Sequence, residues 1–311
     1  MLERIVLLFF FISACNIKDK TFLGGKILNK SSNSISIYKD NTLVNESKIS
    51  NDGLFTVSLD NISSGLYSFY HEPEFQYIII DENDSLQIRL NTLDFDESLV
   101  YSGIGSSKNN FLMDLFLKTE KDEIKINSNI NLNLKDFKNL VDSLYNKQFD
   151  SYSEFKKSRK LSLTSKTIIE NAILYPYISK FHSYIIRNNV LDEKQINLFD
   201  NYYDEINYNL DELAFFKPYI DFLYLEIYNQ VKNNSEYNSA LDFNIKRLNY
   251  TNEIIKSEIV KLRVFRFHAI GFLLQREEEA VNKKFLDSFL EISQNTNLND
   301  EIVKLYNDLK Y

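Results

Sequence analysis

The first third of the chain alternates apolar and polar positions with the two-residue period of a half-buried β-strand. This alternation predicts strands over Ser34–Tyr38, Phe55–Leu59 and Ser85–Leu90, and a nearly unbroken apolar run over Gln76–Ile80 predicts a central strand. Turn-forming residues separate the segments, and Asp52-Gly53 is typical of a hairpin because glycine adopts positive φ at little cost. Short strands at these intervals favour an antiparallel β-sandwich or a small barrel.

The rest of the chain spaces its apolar residues by three and four positions, which is the period of an amphipathic helix. Such stripes run over residues 216–227, 255–272 and 302–309. The segment Asp192–Gln195 has the form of a helix start, with a capping acceptor three residues before the glutamine. Because no fixed repeat period is present in the sequence, the stripes predict an irregular helical bundle and not a solenoid.

Glycine is distributed unevenly along the chain, and its distribution suggests a boundary between these two patterns. Six of the seven glycines lie in the first 105 residues, and only Gly271 follows. We therefore expect an α+β protein of two separable domains. The first is a β domain over residues 22–105, and the second is an all-α helical domain over residues 106–311.

The N-terminal segment begins with a run of eight apolar residues, Ile5–Ile12, which follows a short start containing Arg4. A helix that spans a bilayer needs about twenty apolar residues, so this run is too short for one. Its length is that of the apolar core of a secretory signal peptide. The small residues Ser13 and Ala14 follow it, and after them comes Cys15, the only cysteine in the chain.

The segment Ile12-Ser13-Ala14-Cys15 resembles the lipobox of bacterial lipoproteins. The resemblance implies cleavage between Ala14 and Cys15, so that residues 1–14 are a signal peptide and residues 15–21 a lipidated tether. It also implies a diacylglycerol on the Cys15 sulfur and a third acyl chain on the freed amine, which together anchor a protein stably. The expected location is the cell envelope, with the outer membrane favoured, facing the periplasm or the cell surface.

Several segments of the β domain resemble the N-terminal domain of thioredoxin-like disulfide-reductase lipoproteins that are common in Bacteroidetes. The matching segments are Gly25–Ile27, Asn51–Phe55, Gly65–Tyr67, Asp84–Leu86, Phe95–Gly105 and Asn109–Leu112. In that family a helical segment comes next, followed by a thioredoxin domain with a Trp-Cys-x-x-Cys active site. This sequence contains no such motif, so the resemblance implies a location and an architecture but no catalytic residue. With Cys15 acylated, we expect no thiol–disulfide exchange.

Composition and charge narrow the classes of function. Hydrophobic residues make up 44% and charged residues 26% of the chain, which is typical of a folded protein. A net charge of −8 disfavours contact with phosphate backbones, so no nucleic acid is expected as a partner. The absence of tryptophan weighs mildly against a glycan-binding site.

The residues that most often bind metals are few and scattered in this sequence. His71, His182 and His268 are far apart, with none at helical spacing from another, so we expect structural or surface roles and no metal site. The acidic segment Asp81–Ser85 lacks the glycine and the bidentate glutamate that an EF-hand requires. It is therefore expected to be a solvated turn.

Two further segments have an ordinary structural interpretation. The basic segment Lys156–Lys160 is expected to be a solvated helix face in this acidic protein. The Phe- and Tyr-rich segment Phe215–Tyr228 is expected to be helical core, with a ligand groove between the helical and β parts as the alternative. No phosphate-binding loop or nucleophile elbow occurs in the sequence, so no cofactor and no catalytic residue is predicted.

Together these features favour a lipid-anchored, non-catalytic binding or scaffolding protein of the cell envelope. Two alternatives stay open at this stage. One is the substrate-positioning portion of a split or truncated thiol-disulfide oxidoreductase, and the other is an uptake lipoprotein that captures a ligand. The expected partners are the membrane, through the lipid anchor, and a thioredoxin-like protein or another envelope protein.

Overall fold

A computed structural model of the chain describes residues 21–188 and 206–309. The predicted signal peptide, the lipidation site Cys15 and the predicted helix start at Asp192–Gln195 lie outside these residues. Within them, strands come first and long helices follow, which confirms the predicted α+β class.

The strands and the short helix among them occupy the segment from Phe22 to Ile104. Their bounds are β1 Phe22–Leu28, β2 Ser34–Lys39, β3 Thr42–Lys48, β4 Leu54–Ser58, β5 Gly65–His71, β6 Glu74–Ile80, β7 Ser85–Asn91, α1 Phe95–Ser98 and β8 Val100–Ile104. The strands predicted from alternation correspond to β2, β4 and β7, and the apolar run corresponds to β6.

These strands form two four-stranded sheets that share one core. Sheet A has the order β4-β1-β7-β8, and sheet B has the order β3-β2-β5-β6. Within the described residues every pairing is antiparallel except that of β1 with β7, which is parallel and places Phe22 opposite Ser85. The core between the sheets contains fully buried residues of both, such as Leu23 from sheet A and Phe69 from sheet B.

The helices follow without further strands in the described part of the chain. Their bounds are α2 Ser106–Ser128, α3 Leu134–Lys157, α4 Leu163–Asn188, α5 Lys217–Asn234, α6 Ala240–Ile254, α7 Glu258–Leu273, α8 Glu279–Ser293 and α9 Thr296–Leu309. The predicted apolar stripes fall on α5, α7 and α9. The stripe over 255–272 falls on α7, and its first residue lies just after the end of α6. A new helix starts here because the Ser257 hydroxyl caps α7 by accepting the Val260 N–H.

Sheet B turns its outer face toward the helices. Leu66 of β5 and Ile79 of β6 are opposite each other in register, and both are buried in the core formed by α2–α5 and α7. A separate apolar core joins α6 to α9. None of the helices in the described part of the chain is both long enough and apolar enough to cross a bilayer.

The start of α2 closes one open side of the two-sheet unit. Asn109 Oδ1 accepts the Ile79 N–H at 2.8 Å, and Asn109 Nδ2 donates to the Ile79 carbonyl at 2.8 Å. Asn110 makes the same two contacts with Tyr101 of β8, at 2.8 and 2.9 Å. Consecutive asparagines therefore pair with the edge strands of both sheets, and exposed strand edges are otherwise prone to pair with other chains.

The change from strands to helices falls at Gly105, between β8 and α2. Contacts cross this position, since Met113 of α2 packs into the core between the sheets while Leu66 and Ile79 pack among the helices. The division into separable domains at residue 105 stays a prediction.

Candidate functional site

A cleft of about 740 Å³ lies between the outer face of sheet B and the helices. Its volume is in the range of sites that hold small ligands. Strands β2, β5 and β6 form one wall, and residues from the start of α5 and from α7 form the other. The cleft is thus the groove between the β and helical parts that the sequence left open as an alternative.

The wall formed by sheet B is aromatic because of strand register. Tyr38 of β2, Ser68 of β5 and Tyr77 of β6 lie side by side, and Tyr70 and Phe75 form the next pair along β5 and β6. Side chains two residues apart on a strand share a face, so these residues all point into the cleft. Tyr70 is 36% exposed and Phe75 is 53% exposed, which leaves ring surface available for contact.

Tyr77 connects the two walls. Its hydroxyl donates to the Phe215 carbonyl at 3.1 Å and accepts the Lys217 N–H at 3.1 Å, which fixes the start of α5 against the sheet. Its ring meets the edges of Phe75 and Phe216 at centroid distances of 5.4 and 5.2 Å. Burial raises the pKa of Tyr77, so the phenol is neutral and acts as a donor at physiological pH.

Arg263 of α7 is the most distinctive charged group in the cleft. Its guanidinium lies over the Phe215 ring at 4.5 Å from the centroid. Its Nε is buried without a hydrogen-bond partner, and no carboxylate among the described residues forms an ion pair with it. Arg266, one turn later on the same helix, does pair with Glu301 at 2.7 Å.

Burial lowers the pKa of Arg263, and the neighbouring charge of Arg266 acts in the same direction, whereas Tyr77 and the charge of Glu301 raise it by less. An arginine stays protonated in proteins even so, because its ordinary pKa is above 12. A buried donor without a partner costs about 1–3 kcal/mol. Arg263 therefore presents a half-buried positive charge without an ion-pair partner in the described part of the chain, with a planar set of donors that matches a carboxylate.

The mouth of the cleft carries acidic residues on the side nearest β2. Asp40 follows β2, and Glu212 lies in a short 3₁₀ turn before α5. The pKa of Asp40 is raised, mainly by partial desolvation and further by the charge of Asp211, whereas Lys39 acts in the opposite direction. The cleft thus combines aromatic surface, one unpaired guanidinium and an acidic rim.

The acidic segment Asp81–Ser85 is only in part the solvated turn that the sequence predicts, since Glu82 and Asn83 are exposed but Asp84 is buried. Lys108 of α2 is 4% exposed and contacts the Oδ2 atoms of both Asp81 and Asp84 at 2.6 Å. The hydroxyls of Ser162 and Ser165 donate to Asp81 at 2.9 and 2.8 Å. The prediction was wrong for Asp84, because its carboxylate is buried against Lys108, which lies far away in sequence.

The two carboxyl groups in this cluster differ in pKa. Burial raises both pKa values, and for Asp84 burial outweighs the Lys108 ammonium, so the net shift is upward. For Asp81 the Lys108 ammonium and the two serine hydroxyls outweigh burial, so the net shift is downward. Gly105 packs against the Asp84 carboxylate with a φ of 89°, and a Cβ at this position would lie 2.3 Å from Asp84 Oδ1. The cluster joins the sheets to α2 and α4 and lies apart from the residues that line the cleft.

The structure places the three histidines in separate buried positions. His71 Nε2 accepts the Ser31 N–H at 3.2 Å. His182 Nε2 lies 3.2 Å from Glu226, and His268 Nε2 lies 2.9 Å from Asn244. Burial lowers the pKa of both His182 and His268. In the part of the chain that the structure describes, no three His, Cys, Asp or Glu side chains are grouped to hold a metal ion.

The basic segment lies at the end of α3. Lys157 pairs with Glu154 at 2.5 Å in an exposed position, and the Lys156 ammonium lies 4.9 Å from the Tyr152 ring centroid. Arg159 and Lys160 are exposed beyond the helix. The segment does not line the cleft.

Sequence reasoning identified Phe215 as part of an aromatic helical segment but did not single out Arg263, Tyr70 or Phe75. The two-residue period of β5 and β6 was the available signal for the aromatic wall. The sequence does not indicate whether Arg263 has an ion-pair partner, because that depends on tertiary packing. Comparison of the chain with protein-family models, with curated proteins and with solved structures gave no match, so the site is interpreted from its own geometry.

Proposed function

We propose that this chain is a lipid-anchored envelope protein that binds a ligand in the cleft between sheet B and the helices, without catalysing a reaction. The observation that carries this proposal is Arg263, a guanidinium without an ion-pair partner among the described residues that lies over the Phe215 ring in an open cleft. A protein retains such a group at a cost in stability, and binding of an anionic group compensates that cost.

The side chains of the cleft are suited to binding. Aromatic rings supply apolar contact, and Arg263 supplies orientation through directed donors. This arrangement favours the ligand-capturing form of the proposal over pure scaffolding, because a scaffold needs no concave site. The thioredoxin-like partner suggested by the sequence resemblance is not required for this function.

Substitution Cys15→Ala is expected to release the protein from the membrane fraction, because it removes the sulfur that carries the acyl chains. Fractionation of cells that express the wild type and the variant measures this effect, and mass spectrometry of the N-terminal peptide identifies the modification. A wild-type protein that is soluble, with an unmodified thiol at Cys15, would contradict the lipid anchor.

A small aromatic carboxylate, 3-phenylpropionate, is expected to bind the wild-type protein and to lose at least about tenfold in affinity in Arg263→Gln. A hydrogen bond to a charged group contributes about 1.5–3 kcal/mol, which corresponds to this factor. Saturation-transfer difference NMR measures the binding. Lys261→Gln is the matched control, because Lys261 is a cation on the same helix that pairs with Glu258 at 3.8 Å and does not line the cleft. Equal binding by all three proteins, or none by the wild type, would refute the cleft as the site.

A further inference from the structure

Acidic side chains outnumber basic ones in the lining of the cleft. Arg263 and Lys217 supply the positive charges, whereas Asp40, Glu212 and Asp221 supply the negative charges. Like charges repel at the short distances that a bound ligand imposes. An anionic ligand is therefore held by contact with a single cation and not by the charge of the cleft as a whole.

Only one of the two cations that line the cleft is without an ion-pair partner among the described residues. Lys217 pairs with Asp221 one turn later on α5, and its side chain is 71% exposed. Charges in such positions attract a further ion weakly, because water and salt screen them. Arg263 is half-buried and forms no ion pair in the described part of the chain, so it is the cation that a ligand can neutralise.

The charges around Arg263 are already balanced. The charges of Asp221 and Arg263 both act on the pKa of Tyr77, in opposite directions and after the larger effect of burial, so both lie near that phenol. Asp221 is neutralised by Lys217, and Arg266 is neutralised by Glu301. Arg263 thus has neutral pairs as neighbours, and one negative charge is enough to compensate it.

We infer that the ligand of the cleft has an aromatic body and a single negative charge, as in an aromatic monocarboxylate. The carboxylate contacts Arg263. A second negative charge on the same ligand would lie near Asp221 or near the exposed Asp40 and Glu212, with no free cation among the described lining residues to receive it. This inference rests on the proposed function and names the chemical class of the ligand.

The aromatic body follows from the surface beside Arg263. Tyr70 and Phe75 present exposed ring surface on the wall formed by sheet B, and Phe267, 43% exposed, presents it on the wall formed by α7. The Arg263 guanidinium lies 4.5 Å from the Phe215 ring centroid, so a carboxylate bound to it is next to aromatic surface. The volume of about 740 Å³ leaves space for a ring beside the carboxylate.

The limit to one charge excludes two common classes of anion. A phosphate monoester carries close to two negative charges at neutral pH, and a dicarboxylate carries two. Sites that bind phosphate usually combine several donors or cations around it. Among the described residues the cleft offers only Arg263 in this role, with Asp221 nearby.

Two pairs of probes that differ in one charge test the inference. Benzylmalonate is 3-phenylpropionate with a second carboxylate, and its monomethyl ester keeps the bulk of that group without the charge. The second pair is 2-phenylethylphosphonate and its monomethyl ester. Saturation-transfer difference NMR titrations at about pH 8.5, where both parent compounds are largely doubly charged, use the full-length protein in a non-ionic detergent.

We expect each doubly charged probe to bind at least about fivefold more weakly than its ester. Two like charges about 4 Å apart repel each other by about this factor in bulk water, and more strongly inside a cleft. In Arg263→Gln the esters should lose at least about tenfold in affinity, as 3-phenylpropionate does, because the cation that holds the charge is absent. Lys261→Gln should bind all the probes as the wild type does.

A further variant tests whether Asp221 sets the limit. In Asp221→Asn the preference for the esters should decrease about threefold, because the substitution removes a negative charge near Arg263 and releases Lys217. Asp287→Asn is the matched control, since Asp287 also pairs with a lysine four residues earlier but does not line the cleft. An unchanged preference in Asp221→Asn would overturn the role of Asp221.

The outcomes separate this inference from the proposed function. If 3-phenylpropionate binds through Arg263 but the doubly charged probes bind as tightly as their esters, the limit to one charge is wrong while the cleft stands as the site. If none of the probes binds, both proposals fail.

Discussion

Replacement of Lys108 by methionine is expected to lower the free energy of unfolding by about 3–5 kcal/mol, which is the usual cost of removing one partner from a buried ion pair. Lys108 is 4% exposed, and its ammonium is the shared partner of Asp81 and Asp84. Methionine has a similar length but no charge. The variant therefore leaves two carboxylates close together, with Asp84 buried and Asp81 half-buried.

Urea unfolding followed by circular dichroism measures this loss. Lys118→Met is the matched control, because Lys118 lies on the same helix in an exposed position, and surface substitutions usually change stability by less than about 0.5 kcal/mol. The triple variant Lys108→Met, Asp81→Asn and Asp84→Asn should recover part of the stability, because it removes the uncompensated charges. A loss in Lys108→Met no larger than that in Lys118→Met would show that the cluster does not stabilise the fold.

This cluster illustrates what the sequence could not predict. Asp81–Ser85 has the composition of an exposed turn, and Glu82 and Asn83 are indeed exposed. Asp84 is buried because Lys108 and Gly105 reach it from beyond β8, and Ser165 closes the cluster from α4. Composition describes a segment in isolation, whereas burial of a charge depends on partners from elsewhere in the chain.

Secondary structure was more accessible to sequence reasoning. The alternation over Ser34–Tyr38 and Ser85–Leu90 corresponds to β2 and β7 within one residue, because a strand with one buried face requires this period. The two-residue period does not indicate which strands are neighbours in a sheet. The parallel pairing of β1 with β7 was therefore not predicted from it.

The candidate site was predictable only in outline. The aromatic content of Phe215–Tyr228 indicated either a core or a cleft, and the structure contains both, with Phe216 buried and Phe215 lining the cleft. Arg263 and Arg266 both have apolar neighbours in the sequence of α7. Glu301 of α9 pairs with Arg266 and not with Arg263, and this difference between two neighbouring arginines exists only in the folded chain.

The start of α2 connects the two parts of the molecule that form the cleft. Lys108 and Asn109 are consecutive. Lys108 contacts Asp81 in the turn after β6, and Asn109 contacts Ile79 of β6 itself. Ile79, the strand residue held by Asn109, lies on the same face of β6 as Tyr77 in the cleft wall. The geometry of the cleft therefore depends on contacts that are made outside it.

Replacement of Asn109 by leucine is expected to lower the free energy of unfolding by about 3 kcal/mol. Leucine has the same number and branching of side-chain heavy atoms but cannot replace the two hydrogen bonds to Ile79, each of 2.8 Å. The N–H and the carbonyl of Ile79 lie in the buried edge of sheet B, and an unsatisfied buried group costs about 1–3 kcal/mol. Urea unfolding measures the loss, and amide hydrogen exchange at Ile79 should become faster than at Ile78.

Asn110→Leu provides the matched comparison, because Asn110 makes the same pair of bonds with Tyr101 at the edge of sheet A. Asn109 is 1% exposed, whereas Asn110 is half-buried and its bonds to Tyr101 are only partly buried, so water can reach the groups that lose their partner. We expect a loss of about 1 kcal/mol there. Asn109→Asp should lose at least as much as Asn109→Leu at neutral pH, since a buried carboxylate still accepts the Ile79 N–H but places a negative charge against the Ile79 carbonyl, to which it cannot donate. Equal losses in Asn109→Leu and Asn110→Leu would mean that burial of the strand edge does not set the cost, and that α2 stabilises the fold through its apolar contacts alone.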